Sequence, residues 1–269
     1  MLLNVFHETR YAFDAPAAYW VQRLMLTPLS FEGHSVKRWE ISAPGIGEAL
    51  AYADGFGNTV HLVTGSARRD SITISARGQV ATENRDGIAA GLPQTLPDAV
   101  FLRQTQMTKP DEALRALAAE ADRAGASALA RMHALLGLVQ ARIAYETDAT
   151  DAHTTAAEAL ARGKGVCQDH AHAFLGAARH LGIPGRFITG YIVTGTGKSS
   201  TAGHAWAEAL VPDLGWCGFD ASNGKCPDEH YVRLASGLDA RGAAPVSGSR
   251  RGGGSERMSV EVFVEAAEQ

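Results

Sequence analysis

The sequence is short of cysteine, of long apolar runs and of blocks of like charge. Three cysteines occur in 269 residues, Cys167, Cys217 and Cys226, and no two form a CxxC pair. An odd, sparse set argues against a disulfide framework. The missing CxxC removes the usual signature of thioredoxin-like redox chemistry and of a four-thiolate zinc site. No stretch approaches the roughly 18–20 apolar residues of a membrane helix. The opening MLLNVFHETRYAF turns polar at Asn4 and His7 and has no basic segment ahead of an apolar one, so no signal peptide is expected and a cytoplasmic location follows by default. Lysine plus arginine number 25 against 29 acids, a formal charge of −4 spread without clusters. Neither nucleic acid nor an anionic membrane is expected as a partner. No internal repeat is visible.

What is present changes texture along the chain. Residues 1–85 read as short β-branched or aromatic strands, VFHETRYAF, YWVQRLMLTPL, VKRWEISAPG, NTVHLVTG and DSITISARGQV. Turn residues separate them, Asp14-Ala-Pro16, Gly45-Ile-Gly47 and Asp54-Gly55 among them, which is the pattern of an antiparallel β-sandwich or barrel. Residues 86–110 read as a linker, with Gly87, Gly91, Pro93 and Pro97 near its start. Helix formers then dominate 111–124. In 127–145, Leu129, Met132, Leu136, Val139 and Ile143 recur at steps of three and four, one apolar helix face. Thr155 and Glu158 form a capping-box pattern opening a short helix to about Arg162. Another helix begins near Cys167, with Ala171, Phe174, Leu175 and Ala178 as its stripe. Strands follow at 186–193, 204–211, 216–220 and 258–266; 195–203 reads as a flexible loop and 245–256 as a mobile Gly/Ser/Arg-rich one. The expected class is α+β: a β domain over 1–85, then helices packed on an antiparallel sheet over 111–269.

Three features after residue 160 carry chemistry. Cys167, in GVCQDHAHAF, follows a glycine turn and opens a helix. His204 opens a strand in GHAWAEAL. Asp220 ends the next strand in GWCGFDASNG. A helix N-terminus presents free N–H groups and partial positive charge, which favour a thiolate and can hold an oxyanion. A histidine can carry the proton and a carboxylate can fix its ring. A hairpin turning at Pro212–Gly215 would bring His204 and Asp220 to one end of the sheet. A metal reading is weaker, because His170 and His172 project about 200° apart on a helix and cannot chelate together. Asp169 is placed to cap the helix.

GVCQDHAHAFLGAARHLGIPGRFITGY followed by GHAWAEALVPDLGWCGFDASNG resembles the core of bacterial transglutaminase-like proteins, a branch of the papain-like cysteine enzymes, from about Tyr145 to Asn223. The β-rich start and the tail resemble members that carry a β-sandwich ahead of that core. The resemblance implies Cys167 as nucleophile, His204 as base, Asp220 as orienting acid, and acyl transfer at an amide through a thioester. Tyr145, Gln168, Asp169 and Trp206 are candidates for holding the oxyanion or supporting the triad, with His153 an alternative to Tyr145. No cofactor or metal is expected, calcium included, since no EF-hand-like run occurs. The expected substrate is a peptide or protein amide, or a peptide-like small molecule, with water or an amine as acceptor and peptidase or amidase activity preferred. His170 departs from the family, where an aromatic is common, and so does Cys217. The competing reading is a catalytically silent module that binds a peptide or protein through the β domain.

Overall fold

The computed structural model describes residues 1–193 and 203–267. The chain opens with five strands: β1 (Leu2–Thr27), β2 (His34–Ser42), β3 (Leu50–Ala53), β4 (Thr59–Gly65) and β5 (Arg69–Thr82). Helices α1 (Asp98–Phe101), α2 (Glu112–Ala124) and α3 (Ala128–Arg142) follow. Next come β6 (Ala144–Tyr145), α4 (Ala156–Arg162), β7 (Lys164–Gly165), α5 (Cys167–His180) and β8 (Gly185–Ile192). The chain ends with β9 (His204–Val211), β10 (Gly215–Phe219), β11 (Tyr231–Gly237), β12 (Val246–Gly252) and β13 (Glu256–Ala266). This is an α+β protein with antiparallel sheets. The loop expected at 195–203 falls, apart from Gly203, outside the described residues. No described helix is long and apolar enough to cross a membrane.

The first two expected strands are one. β1 runs through Asp14-Ala-Pro16 and changes partners there: residues 2–12 pair with β5, and 20–27 pair with β4. Pro16 lacks an N–H and sits where the register shifts, the place a strand tolerates proline. Asp14 and Ala15 donate instead to the carbonyls of Ser255 and Gly253. Those acceptors belong to the tail, which the sequence reading assigned to the catalytic core. The ladders correct that: β12 and β13 both pair with β1, giving seven strands in the N-terminal sheet. The stretch expected to be mobile, 245–256, is mostly β12. Its glycines and arginines hid a strand whose pairing comes entirely from a partner more than 200 residues away. Leu3, Val5, Trp20, Leu24, Ile72, Ile74, Val262 and Val264 close the apolar interior of this sheet.

The helices form for local reasons. Asp111 and Ser127 accept from Leu114 N (2.8 Å) and Ala130 N (3.1 Å), capping α2 and α3. Thr155 and Glu158 make the reciprocal bonds of a capping box at 2.8 and 3.3 Å. α5 is buried nearly all round from Asp169 to Arg179, because α2, α3 and α4 surround it on one side and β9 on the other. Its sheet runs β10-β9-β8-β11. Residues 86–110 are no free linker: Ala89 N donates to Trp216 O (2.9 Å) and Gly218 N to Gly87 O (2.8 Å), so this segment covers the β10 edge.

The two sheets are joined firmly. Tyr191, Val193, Val232 and Leu234 share the apolar cluster of the N-terminal sheet. His7 Nδ1 meets Tyr191 Oη at 2.9 Å, and Asn58 bonds both the N–H and the carbonyl of Ser236 at 2.8 Å. The role of β13 gives a test. Val264 is fully buried and its neighbour Glu265 faces solvent. Val264→Asp is expected to lower the unfolding free energy by about 3 kcal/mol or more, whereas Glu265→Ala stays within about 0.5 kcal/mol. Urea denaturation of the full chain measures both.

Candidate active site

The Gly163-Lys164-Gly165 step sets the start of α5. Gly163 ends α4 in the left-handed conformation, φ 67°. At Gly165 a Cβ would lie 2.6 Å from Asp169 Oδ2, so only glycine lets that carboxylate close on the turn. Asp169 Oδ2 accepts from Val166 N at 2.8 Å and Thr150 Oγ1 at 2.6 Å. This is half a capping box: Val166, at the N-cap, has no side-chain oxygen to return the bond. Asp169 therefore closes the turn just ahead of the helix. Its second oxygen, Oδ1, has no partner among the described residues, and burial raises its pKa against the pull of those two bonds.

Asp169 N and His170 N both bond Val166 O. Among the described residues, the amides of Cys167 and Gln168 have no acceptor. They are the open donors that a helix beginning without a side-chain cap exposes. Cys167 is half-buried beside them.

The β9–β10 hairpin turns at 212–215, with Asp213 and Gly215 at positive φ. Pairing runs from Gly215↔Val211 to Phe219↔Ala207, which leaves His204 and Asp220 at one end of the sheet. His204 Nε2 and Asp220 Oδ2 lie 2.6 Å apart. Cys167 is a further neighbour whose hydrogen bonding and charge act on the ring. Burial alone would lower the His204 pKa. The bonds to Asp220 and Cys167, with their charges, overcome it and push the value from 6.5 up to about 10. Asp220 is fully buried. Burial opposes its ionisation, yet His204, Asn223 and Ser222 together hold its pKa well below the usual carboxylate range. Its Oδ1 accepts from Ser222 Oγ at 2.7 Å and its Oδ2 from Asn223 Nδ2 at 2.7 Å and Tyr231 Oη at 2.8 Å.

The supporting candidates divide. Tyr145 lies at the site mouth, 56% exposed. β6 is paired with β7, so Tyr145 stands next to the turn that precedes Cys167. Partial burial raises its pKa, as do the charges of Cys167 and Asp220. Gln168 is half-buried on the first helical turn. Trp206 is buried, with His204 and Tyr231 against it at ring separations of 6.2 and 5.5 Å. It backs the histidine. Trp216 instead packs with Phe101. His153 is exposed and bonds Arg241.

The sequence reading favoured surface or supporting positions for His170 and His172; both are buried. His170 bonds the carbonyls of Val166 and Ile143, and His172 accepts from Ala240 N, so the two face different partners. Asp228, Glu229 and His230 bring potential ligand atoms within 4.8 Å of one another, but Asp228 is already paired with Lys225 and His230. The residue the sequence reading missed is Tyr231, at the head of β11. That strand is buried on both faces, so it shows no alternation to read. Ser222 and Asn223 lay inside the FDASNG motif and could have been found there.

Comparison with known proteins extends this picture. The transglutaminase-like superfamily pattern matches residues 115–221, and the bacterial transglutaminase-like N-terminal region matches residues 3–81. An uncharacterised Mycobacterium leprae protein is 26% identical over 279 residues, covering 97% of this chain and 98% of its own. An uncharacterised Mycobacterium tuberculosis protein is 24% identical over 270 residues, covering 91% and 86%. A Cytophaga hutchinsonii structure, provisionally called a cysteine protease, shares the fold with a TM-score of 0.76 at 20% identity, over 100% of this chain and 92% of its own. With its N-terminal region and its core both matched in order, the chain is similar to the bacterial transglutaminase-like proteins.

Proposed function

We propose that this protein performs thiol-dependent acyl chemistry on amides, with Cys167 as nucleophile, His204 as proton carrier and Asp220 as orienting acid. One observation carries the reading: an uncapped helix start presents the Cys167 thiol to a histidine whose far nitrogen is held by a buried carboxylate at 2.6 Å. The family supports the class, thiol-dependent hydrolases and transferases.

The Cys167 sulfur attacks the carbonyl carbon of a peptide-like amide. The oxygen gains charge and is held by the open Cys167 and Gln168 amides, with Tyr145 at the mouth as a further donor. His204, protonated, gives its Nδ1 proton to the amine nitrogen as the C–N bond breaks. The product is a thioester on Cys167. Water then attacks it, His204 takes a proton from that water, and the C–S bond breaks to release the acid and restore the Cys167 thiolate beside the protonated His204. An amine in place of water gives cross-linking or transfer. Hydrolysis is the preferred outcome, and the substrate is a peptide or protein amide, or a small molecule with a peptide-like bond.

Cys167→Ala is expected to lower turnover of a peptide-amide panel by at least about 10³-fold, the scale of removing a triad member. Assaying each amide with and without a primary amine separates acid from transfer products. Equal turnover by wild type and variant overturns the reading. Iodoacetamide at neutral pH should label Cys167 ahead of Cys217, whose thiol burial pushes up to about 11, and of Cys226, also raised by burial.

The charge pair predicts a pH window for stability. His204 has a raised folded-state pKa, so its contribution is full below 6.5 and is lost as pH rises to about 10. Asp220 has a depressed one, so its contribution is present above the ordinary carboxylate value and is lost as pH falls from there toward the lower folded-state value. The melting-temperature gap between wild type and Asp220→Asn should therefore be widest between about pH 4 and 6.5 and should close toward pH 10. Thermal melts across pH 3–11 measure it.

A further inference from the structure

Three donors converge on one oxygen. Asp220 Oδ2 lies 2.6 Å from His204 Nε2, 2.7 Å from Asn223 Nδ2 and 2.8 Å from Tyr231 Oη. A carboxylate oxygen offers about two lone pairs, so these donors compete for one charge. The other oxygen is fixed separately by Ser222 Oγ and by the amides of Ser222 and Asn223, at 2.7, 3.1 and 3.3 Å. Histidine orientation alone needs one donor. The other two require their own account.

They come from different elements. Asn223 lies in the tight turn that leaves β10, where Asp220 and Lys225 bridge back to each other. Tyr231 heads β11, on the far side of β9 and β8, and is 4% exposed. It stands edge-on to Trp206 and 5.9 Å from the His204 ring. β11 is held by the N-terminal sheet: Thr82 Oγ1 donates to Glu229 O, and His34 Nε2 accepts from Arg233 N at 3.2 Å. The titratable groups around this centre are Cys167 from α5, Tyr145 from β6, and Lys225 and Asp228 from the turn, with Lys225 Nζ 5.2 Å over the Tyr231 ring.

We propose that Tyr231 and Asn223 are positioning residues of the triad, clamping Asp220 Oδ2 from two sides so that it accepts the His204 Nε2 proton without taking it. This rests on the acyl-transfer reading given above. The clamp does two things. It removes rotation of a carboxylate that otherwise hangs from the end of a hairpin, which keeps His204 Nδ1 turned toward Cys167. It also shares out the Oδ2 charge, which limits how strongly the imidazolium is held and leaves its proton transferable. Through Tyr231, the N-terminal sheet contributes to the cleft without lining it.

The test uses Tyr231→Phe, which keeps the ring, and Asn223→Ala, each in the full chain with folding checked by circular dichroism. The first readout needs no substrate: the rate of Cys167 alkylation by iodoacetamide against pH. Its alkaline step marks loss of the His204 proton. With one donor gone, more of the Oδ2 charge falls on His204, and that step should move up by about 0.5–1 pH unit, the scale of one charge-assisted bond shared among partners. The second readout is turnover of a hydrolysed amide, where kcat should fall about tenfold with KM within twofold. A purely structural role would lower stability and leave the alkaline step in place. If Tyr231→Phe does not fold, Asn223→Ala carries the test with the same expected shift. A wild type with the step, and folded variants whose profiles and kcat superimpose on it, overturns the clamp alone. A wild type without the step, and with turnover equal to Cys167→Ala, overturns the triad reading and the clamp with it.

Discussion

A fully buried carboxylate must be surrounded by donors or it will not stay ionised. Asp220 sits in that position at the end of a five-residue strand, and much of the cleft follows from meeting its demand. The turn after β10 folds back so that Ser222 and Asn223 can reach it. β11 begins where Tyr231 can reach it. His204 starts β9 where its ring spans the gap between that carboxylate and the helix that carries Cys167. The desolvation of one ion is offset by contacts that also fix a geometry.

A second buried charge group lies on the same sheet. Glu208 accepts from Arg186 at 2.6 Å and Arg233 at 2.8 Å, all three being almost wholly buried. Two cations share one anion, so the cluster is not balanced by pairing alone. Arg186 lies 4.0 Å above the Trp216 ring, whose electron-rich face supplies part of the difference. Buried ionic clusters of this kind are weak evidence for stability in themselves. Here the cluster ties the start of β8 to β9 and β11, four residues along β9 from His204, and so helps hold in register the strands that carry the candidate site.

The helices and the candidate site were the legible part of the sequence. Capping residues at Asp111, Ser127 and Thr155 and the stripe from Leu129 to Ile143 act locally, within a few residues, and local signals survive in a one-dimensional reading. Cys167, His204 and Asp220 could be named because each stands at an element boundary with a recognisable turn beside it. The rest depended on distant partners. β1 crosses a proline that looks like a stop, because the tail supplies acceptors for its neighbours. β12 looks like a loop until β1 is placed beside it. β11 has no polar face because both of its faces are covered, by the N-terminal sheet and by the cluster around Ile188 and Trp206. Tyr231 was invisible for the same reason as its strand.

The pairing of β1 with β13 also sets an order of events during synthesis. Eleven residue pairs join the first thirteen residues of the chain to residues 256–266. Until residues 256–266 leave the ribosome, one edge of β1 has no partner, and the strip of Leu3 and Val5 lacks the cover of Val262 and Val264. Such pairing joins residues far apart in sequence, from Leu3 with Ala266 to Phe13 with Glu256, and contacts of that kind form late and slowly. The sheet around β1 is therefore completed only after β13 is made, and a nascent chain carries an open strand edge until then.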